Sequence, residues 1–315
     1  MVAHRISVIV PTVGRPESLT QLFGSLVLQS HRPDEVIVAD GSGGEEVARI
    51  IAQPLWSASG LNVRRLAVQP QNAVRQRRAA IAVSEAEYLL LLDDDVVLEP
   101  TCVAALLDGM HSAPDVVAVT ADFNNQPWSG PTTVWRWYLR WCHGLTDGEW
   151  QGRVVGPLLR FGYRPTPQRL ASMEWLGAGN SLVRRDAYDQ VGGFSDFFLH
   201  RSTMNEDVDL GLKLGRVGRI LLCPAARMAH HHAPSGRVSA AVAAEDDLYN
   251  RYQVMNRTQG RSAVSAHGQV LLFFIVETAS NLVGCLHRLS WDAFWPRMFG
   301  RLRALGRIWV QDTAR

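Results

Sequence analysis

Lysine is almost missing from this chain. Lys213 is the only one, so arginine supplies nearly all of the 32 Lys and Arg residues. A mechanism built on a signature lysine in an N-terminal glycine-rich loop has nothing to use here, because that region offers only Val13-Gly14-Arg15. Cysteine is scarce too: Cys102, Cys142, Cys223 and Cys285 lie far apart, with no CxxC pair. That spacing fits neither a zinc module nor a disulfide framework and points to reduced thiols in a cytoplasmic setting. A large excess of either charge is also absent. The formal net charge is +2, which by itself argues neither for nor against nucleic acid, and no nucleic-acid partner is expected. The N-terminus enters almost at once into Ile6-Ser7-Val8-Ile9-Val10 without a charged region, an apolar stretch and a small-residue cleavage site, so a cytoplasmic location is expected. No internal repeat or low-complexity segment stands out.

With 315 residues, 47% of them hydrophobic and 20% charged, the chain can bury a sizeable core. Residues 6–10 read as a short buried strand that stops at Pro11. Leu19, Leu22, Phe23, Leu26 and Val27 recur at helical spacing over 16–30, opened by Pro16. Glu35-Val36-Ile37-Val38-Ala39 is a second strand, ending at Asp40-Gly41-Ser42-Gly43. A helical stretch over about 45–53, a strand near 62–68 and a helix over about 72–84 follow. Tyr88-Leu89-Leu90-Leu91-Leu92 then reads as a fully buried strand running into Asp93-Asp94-Asp95.

Strands alternating with helices imply right-handed βαβ units and a parallel sheet. Ligands bind such sheets outside the carboxyl ends of the strands. Three of those ends carry Pro11-Thr12, Asp40-Gly41-Ser42 and the aspartate triplet, so all three should face one crevice. The segment over about 120–175 differs. It holds Trp128, Trp135, Trp137, Trp141 and Trp150 among many Pro, Gly and Arg residues, with a helix near 132–143.

Adjacent carboxylates at a strand end repel unless something positive neutralises them. A hard divalent cation with oxygen ligands does so, although a solvated acidic turn has the same composition. Asn205-Glu206-Asp207-Val208-Asp209-Leu210 is a second acidic cluster that opens a helix. Dipole capping and a general base aimed into the crevice are both open readings for it. His230-His231-His232 ends a strand with a bend that starts at Ile220. Alternate residues point to opposite faces, so either His230 and His232 act together or only one matters. Arg75-Gln76-Arg77-Arg78 is either a solvated basic face or a bidentate partner for a diphosphate.

These clusters, in this order, resemble the nucleotide-sugar glycosyltransferases of family 2. The residues that carry the resemblance are Ser7 through Thr12, Glu35 through Ser42, Leu91 through Val96, Gly177-Ala178-Gly179-Asn180-Ser181, Val191-Gly192-Gly193-Phe194, Glu206 through Leu210, and Pro224 through His230. They span roughly residues 5–260. The resemblance implies an α/β fold of the GT-A type: a Rossmann-like, mixed but mostly parallel sheet flanked by helices, with a C-terminal helical extension. It implies an inverting transfer from a UDP-, GDP- or dTDP-sugar to a glycan or lipid-linked acceptor, assisted by Mg²⁺ or Mn²⁺. Pro11, Thr12 and Asp40 match the base- and ribose-binding positions. Asp93 and Asp95 match the DxD pair, Asp95 as metal ligand and Asp94 near the ribose. Gly177, Gly179 and Asn180 match the loop bordering the donor sugar, Arg75 and Arg77 the phosphate side. Asp207 matches the catalytic base, with Glu206 supporting it or touching the acceptor, and His230, with His232, completes the metal and diphosphate site. One departure is local: the family's usual Asn and Gly are Arg78 and Ala80 here.

The expected organisation is a catalytic domain over 1–265, nucleotide-binding to about residue 120 and acceptor-binding beyond it, with C-terminal helices over 266–315. Gln269 to Leu286 contains the apolar run Val270 through Val276, then Glu277 at mid-run, then Leu282-Val283-Gly284-Cys285-Leu286. Eighteen residues are near the minimum for crossing a bilayer, and Glu277 would be costly there. From His287 onward, six Arg stand against two Asp, with Trp291, Trp295 and Trp309 among them. That composition suits peripheral attachment to the inner face of the cell membrane. A buried helix with an amphipathic one at a homodimer interface is the other reading. A sugar-nucleotide nucleotidyltransferase, or a non-catalytic nucleotide-sugar-binding module, stands as the alternative function.

Overall fold

The computed structural model describes residues 5–126, 128–200, 203–231, 238–288, 290–292 and 294–313. Its strands are β1 (Ile6–Thr12), β2 (Glu35–Asp40), β3 (Val63–Ala67), β4 (Tyr88–Leu92), β5 (Val96–Leu98), β6 (Val116–Phe123), β7 (Val154–Val155), β8 (Leu159–Arg160), β9 (Ala171–Met173), β10 (Asn180–Arg184) and β11 (Arg219–His230). The helices are α1 (Pro16–Val27), α2 (Glu46–Ile51), α3 (Pro54–Ala58), α4 (Ala73–Val83), α5 (Cys102–His111), α6 (Thr133–His143), α7 (Arg185–Gln190), α8 (Glu206–Leu214), α9 (Ala240–Gln253), α10 (Ala263–Arg288) and α11 (Phe294–Thr313).

Nine strands form one sheet in the order β3-β2-β1-β4-β10-β6-β11-β5, with β9 on β11, while β7 and β8 make a separate ribbon. The first four strands run parallel, β10 lies antiparallel between β4 and β6, and β6 is parallel to β11. Each inner strand divides its side chains by the period-2 alternation of a pleated strand. Ile9, Ile37, Leu89 and Leu91 enter one core, whereas Val8, Val36, Leu90 and Leu92 enter the other. Helices therefore cover both faces, as near-continuous apolar runs require.

The helical stretch over 45–53 is α2, which ends at Ile51, and Pro54 opens a separate short helix, α3, beyond it. Helix α6 ends at Gly144, whose φ of 65° lets its N–H return to the Arg140 carbonyl. Strands β6 and β10 had no counterpart in the sequence reading. The expected bend after Cys223 is a register irregularity between Cys223 and Arg227 within the continuous strand β11.

The apolar C-terminal run is longer than 269–286, forming the 26-residue helix α10. Ala266, Val270 and Phe273 of α10, with Ala304 and Ile308 of α11, join the core that also holds α6. Glu277 is turned toward α6 and α11. It accepts from Trp135 Nε1 at 3.1 Å and lies 3.8 Å from Arg301, so it fastens α10 to α6 and α11. The C-terminal arginines are less free than their number suggests. Arg301 is buried, and Arg303 and Arg307 pair with Glu245 and Asp246 of α9.

Candidate active site

The parallel strands β1, β2 and β4 deliver their carboxyl ends to one edge, and hydrogen bonds join those ends. Thr12 donates to Asp94 Oδ2 at 2.5 Å, and Gln76 Nε2 donates to the carbonyls of both Thr12 and Ala39 at 2.7 Å. Arg15 Nη1 holds the other Asp94 oxygen at 2.9 Å. Burial nevertheless dominates at Asp94 and pushes its carboxyl up to about 6, against the lowering effect of Thr12 and Arg15. Asp40 is also fully engaged, accepting from Ser42 N, Ser42 Oγ and Arg65 Nε at 2.6–2.8 Å. Asp94 and Asp40 thus tie the strand ends together.

Asp93 and Asp95 point elsewhere. Together with His230 they form a group whose ligand atoms lie within 4.8 Å of one another. His230 Nε2 stands 3.0 Å from Asp95 Oδ1, and its ring leans on Phe123. The juxtaposition depends on β11 pairing antiparallel with β5, which sets His230 beside Val96. His231 contributes its backbone N–H to the Asp95 carbonyl, and His232 lies outside the described residues. Two carboxylates and an imidazole are a fitting donor set for a divalent cation with oxygen preference.

Gly179 makes room for this group: a Cβ there would lie 2.2 Å from Asp93 Oδ2. Asn180 sends its Nδ2 to the Ala121 carbonyl at 2.6 Å, and its buried Oδ1 lies against Gly177 without a partner among the described residues. Gly177, Gly179 and Asn180 all line a cavity of about 610 Å³, as do Arg77, Asp93, His230, Glu206 and Asp207. The strand-end residues Pro11, Thr12, Asp40, Asp94 and Asp95 do not line it. They sit along the sheet edge beside it.

The second acidic cluster enters this cavity through a strained turn. Asn205 has a φ of 71°, a left-handed conformation that Asn tolerates better than most residues. Its side chain is anchored by Asp247 Oδ1 at 2.9 Å. The turn aims Glu206 and Asp207, the first residues of α8, at the cavity. Glu206 is pushed up to about 8, first by burial and then by the Asp207 charge, against the pull of Arg77. Asp207 Oδ1 accepts from Val208 N at 2.8 Å, and Oδ2 pairs with Arg160.

Arg160 has no counterpart in the sequence reading. It stands on β8 with its guanidinium 5.4 Å from the Trp175 ring centre. Leu158, just before β8, takes a φ of 57°. Arg251 secures that turn by donating to the carbonyls of Pro157 and Leu158 at 2.7 and 2.8 Å. The same Arg251 pairs with Asp247 at 3.1 Å. Burial would raise the Asp247 carboxyl, but Arg251, Asn205 and Arg160 hold it below the usual carboxylate range. One ion pair on α9 therefore supports both the Asn205 turn and the Leu158 turn.

Arg75 is not brought to the cavity. Successive helix residues turn by about 100°, so Arg77 faces the carboxylates while Arg75 reaches the Leu199 carbonyl at 3.3 Å. Arg78, the departure from the family pattern, pairs on the surface with Asp196. The tryptophans of the middle segment also divide. Trp128 lines the cavity edge-on to Trp175, 4.9 Å between ring centres, whereas Trp135 and Trp150 are core and Trp137 and Trp141 are exposed. The single lysine, Lys213, is bound to Ser195 and Asp209 and does not line the cavity.

The profile described as "Glycosyl transferase family 2" matches residues 7–192, more than half of the chain. The chain belongs to that family. It is therefore a glycosyltransferase, and the family assignment displaces the nucleotidyltransferase and non-catalytic alternatives. It is 26% identical over 253 residues to an "O-antigen biosynthesis protein RfbC" of Myxococcus xanthus, covering 75% of this chain and 18% of that protein. It is 26% identical over 246 residues to an N-acetylglucosaminyl-diphospho-decaprenol L-rhamnosyltransferase of Mycobacterium tuberculosis, covering 73% of this chain and 77% of the relative. Among solved structures it is similar to GalNAc-T7 with UDP, GalNAc and Mn²⁺, with a TM-score of 0.60 at 15% identity, covering 80% of this chain and 47% of that one. That likeness concerns the fold, which is GT-A with C-terminal helices.

Proposed function

We propose that this glycosyltransferase moves a sugar from a nucleoside-diphosphate donor to a hydroxyl of a lipid-linked glycan at the inner face of the cell membrane, with inversion. The observation that carries the proposal is that Asp93 with His230, and Glu206 with Asp207, line one cavity. The acceptor class draws support from the rhamnosyltransferase relative, whose name gives a diphospho-decaprenol acceptor.

The acceptor oxygen attacks the anomeric carbon, the bond from that carbon to the diphosphate breaks, and Asp207 takes the acceptor proton. An alcohol is too weak an acid to lose its proton first, so the base must be in place as the new bond forms. Each Asp207 oxygen already accepts one hydrogen bond and keeps a second lone pair for this purpose. Arg160 orients that carboxylate. Asp93, Asp95 and His230 would hold a Mg²⁺ or Mn²⁺ ion, which when bound neutralises charge on the leaving diphosphate. Glu206, which burial keeps largely protonated at neutral pH, accepts from Arg77 and puts no second negative charge beside the base. Trp128 and Trp175 give the sugars an aromatic wall.

Incubation with Mn²⁺, a panel of UDP-, GDP- and dTDP-sugars and a polyprenyl-diphosphate-linked sugar tests the proposal. The expected result is release of nucleoside diphosphate from one donor that depends on both metal and acceptor. Release of nucleoside diphosphate from no donor would remove the catalytic reading, and release independent of the lipid-linked sugar would remove the acceptor class.

A further inference from the structure

Five of the ten tryptophans are exposed, and all five lie on or next to three neighbouring helices. They are Trp137 and Trp141 of α6, Trp291 just before α11, and Trp295 and Trp309 of α11. Side-chain contacts join α6 to α10 and α10 to α11. Trp135 of α6 stacks on Phe273 of α10, Tyr138 of α6 donates to Gln269, and Arg297 of α11 donates to Asn281 of α10.

Each helix has an inner face in the core and an outer stripe that is apolar as well. On α10 the exposed positions Val264, Gly268, Leu271, Ile275, Ala279, Leu282 and Leu286 recur at intervals of three and four, which is one helical face. No charged side chain interrupts it. On α11 the stripe is Trp295, Phe299, Leu302, Gly306 and Trp309, and on α6 it is Val134, Trp137 and Trp141. Apolar surface of this extent on a soluble chain calls for a partner.

Charge selects the partner. Arg136, Arg140 and Arg297 adjoin these stripes, and among the described residues no carboxylate pairs with any of them. Glu277, the only acid of α10, is turned inward to Trp135 and Arg301. A second copy meeting this face about a two-fold axis would bring the same three arginines to it and no carboxylate on any of the three stripes. An anionic lipid headgroup layer complements them, and tryptophan with arginine beside an apolar face is the composition of an interfacial helix.

By length and composition α10 could cross a bilayer. Crossing would carry Glu277 into hydrocarbon together with Arg301 and Trp135, dragging α6 and α11 with them, and that is costly. We propose that α6, α10 and α11 form a monotopic docking face for an anionic bilayer, with α10 lying in the interface and not through it. Docking stands apart from the glycosyl-transfer reading and rests on it only for the acceptor it brings near. Trp128 and Ser129 line the cavity and α6 begins four residues after Ser129 at Thr133, so a short stretch of chain links the docking face to that wall of the cavity.

Flotation of the full chain with phosphatidylglycerol/phosphatidylcholine vesicles, and with phosphatidylcholine alone, tests this without reference to activity. Binding is expected to the anionic vesicles, weakened by salt because screening acts over about 8 Å at physiological ionic strength. Trp137→Ser with Trp141→Ser, and separately Arg136→Glu with Arg140→Glu, should each weaken binding by about tenfold or more while thermal melts stay unchanged. In a Cys142→Ser background, Ser262→Cys and Ser290→Cys flank α10 and should both react with an impermeant maleimide added outside the vesicles. Four results would overturn the proposal: no flotation at low salt, full flotation of both double variants, labelling at one end only, or a lipid-free dimer weakened by the same substitutions.

Discussion

Asp93 and Glu206 share one buried guanidinium: Arg77 donates to Asp93 Oδ1 at 2.6 Å and to Glu206 Oε1 at 3.3 Å. These carboxylates are 113 positions apart in sequence (206 minus 93) and belong to the two halves of the candidate site, the strand-end triplet and the start of α8. A single buried cation bridges them and opposes the penalty that burial puts on an ionised Glu206.

Arg77→Met should therefore destabilise the fold. Removing one partner of a buried ion pair typically costs about 3–5 kcal/mol, and the part-exposed Asp93 places this case at or below the lower end. The loss should grow with pH, because an unpaired Glu206 is tolerated while protonated and repels Asp207 and Asp93 once ionised. Urea unfolding at acid and mildly alkaline pH, in chelator, checks the sign. A deficit that shrinks as pH rises would contradict it.

Glu206 makes a second pH-dependent prediction. Its folded-state value is raised to about 8, well above the ordinary carboxylate range, chiefly by burial. A raised value means that the stability contribution is whole below the unfolded pKa and is lost as pH climbs through the folded one. Glu206→Gln removes that titration and keeps the shape. The difference in Tm, variant minus parent, should rise across roughly pH 5 to 8 and then level off. Melts at several pH values in chelator measure it, and a flat difference would mean that Glu206 is ionised throughout.

Gly179 is the most compact test of the metal group. An alanine Cβ would meet Asp93 Oδ2 at 2.2 Å, and Asp93 cannot swing freely because Arg77 holds its other oxygen. Gly179→Ala should leave the sheet folded but abolish the Mn²⁺-dependent part of nucleoside-diphosphate affinity, as Asp95→Ala should. Calorimetry with and without Mn²⁺ reads this directly. Unchanged metal dependence in both variants would remove Asp93 and Asp95 from the metal site.

Much of this site was legible in the sequence because its signals are local. A run of five apolar residues ending in Asp93 announces a buried strand with carboxylates at its carboxyl end, and Glu206-Asp207 before Leu210 announces a helix start. The convergence of the ends of β1, β2 and β4 followed from parallel pairing alone. What stayed hidden depends on distant contacts. Arg160 meets Asp207 across 47 positions, and Arg251 reaches Leu158 across 93. Neither distance leaves a periodic trace. The arginine-rich tail misled for the same reason: its charge was counted locally, while Glu245 and Asp246, some 60 positions earlier, neutralise Arg303 and Arg307. The tryptophans could be counted but not sorted, since the role of each depends on which face of α6 or which wall of the cavity it occupies.

Asp207→Asn isolates the chemical step. The amide keeps the size of the side chain, its oxygen can still accept from Val208 N, and Arg160 loses only a charged partner at a part-exposed position. Fold and donor affinity should therefore stay close to those of the parent protein. The amide cannot take the acceptor proton, and loss of a positioned general base typically costs 10²–10⁴-fold, so kcat should fall by about that factor with little change in donor KM. The paired control is Arg160→Met, which leaves the carboxylate in place but unoriented. It should lower kcat by less than Asp207→Asn does. If instead the asparagine variant keeps more than about a tenth of parental turnover, the base lies elsewhere on the cavity wall.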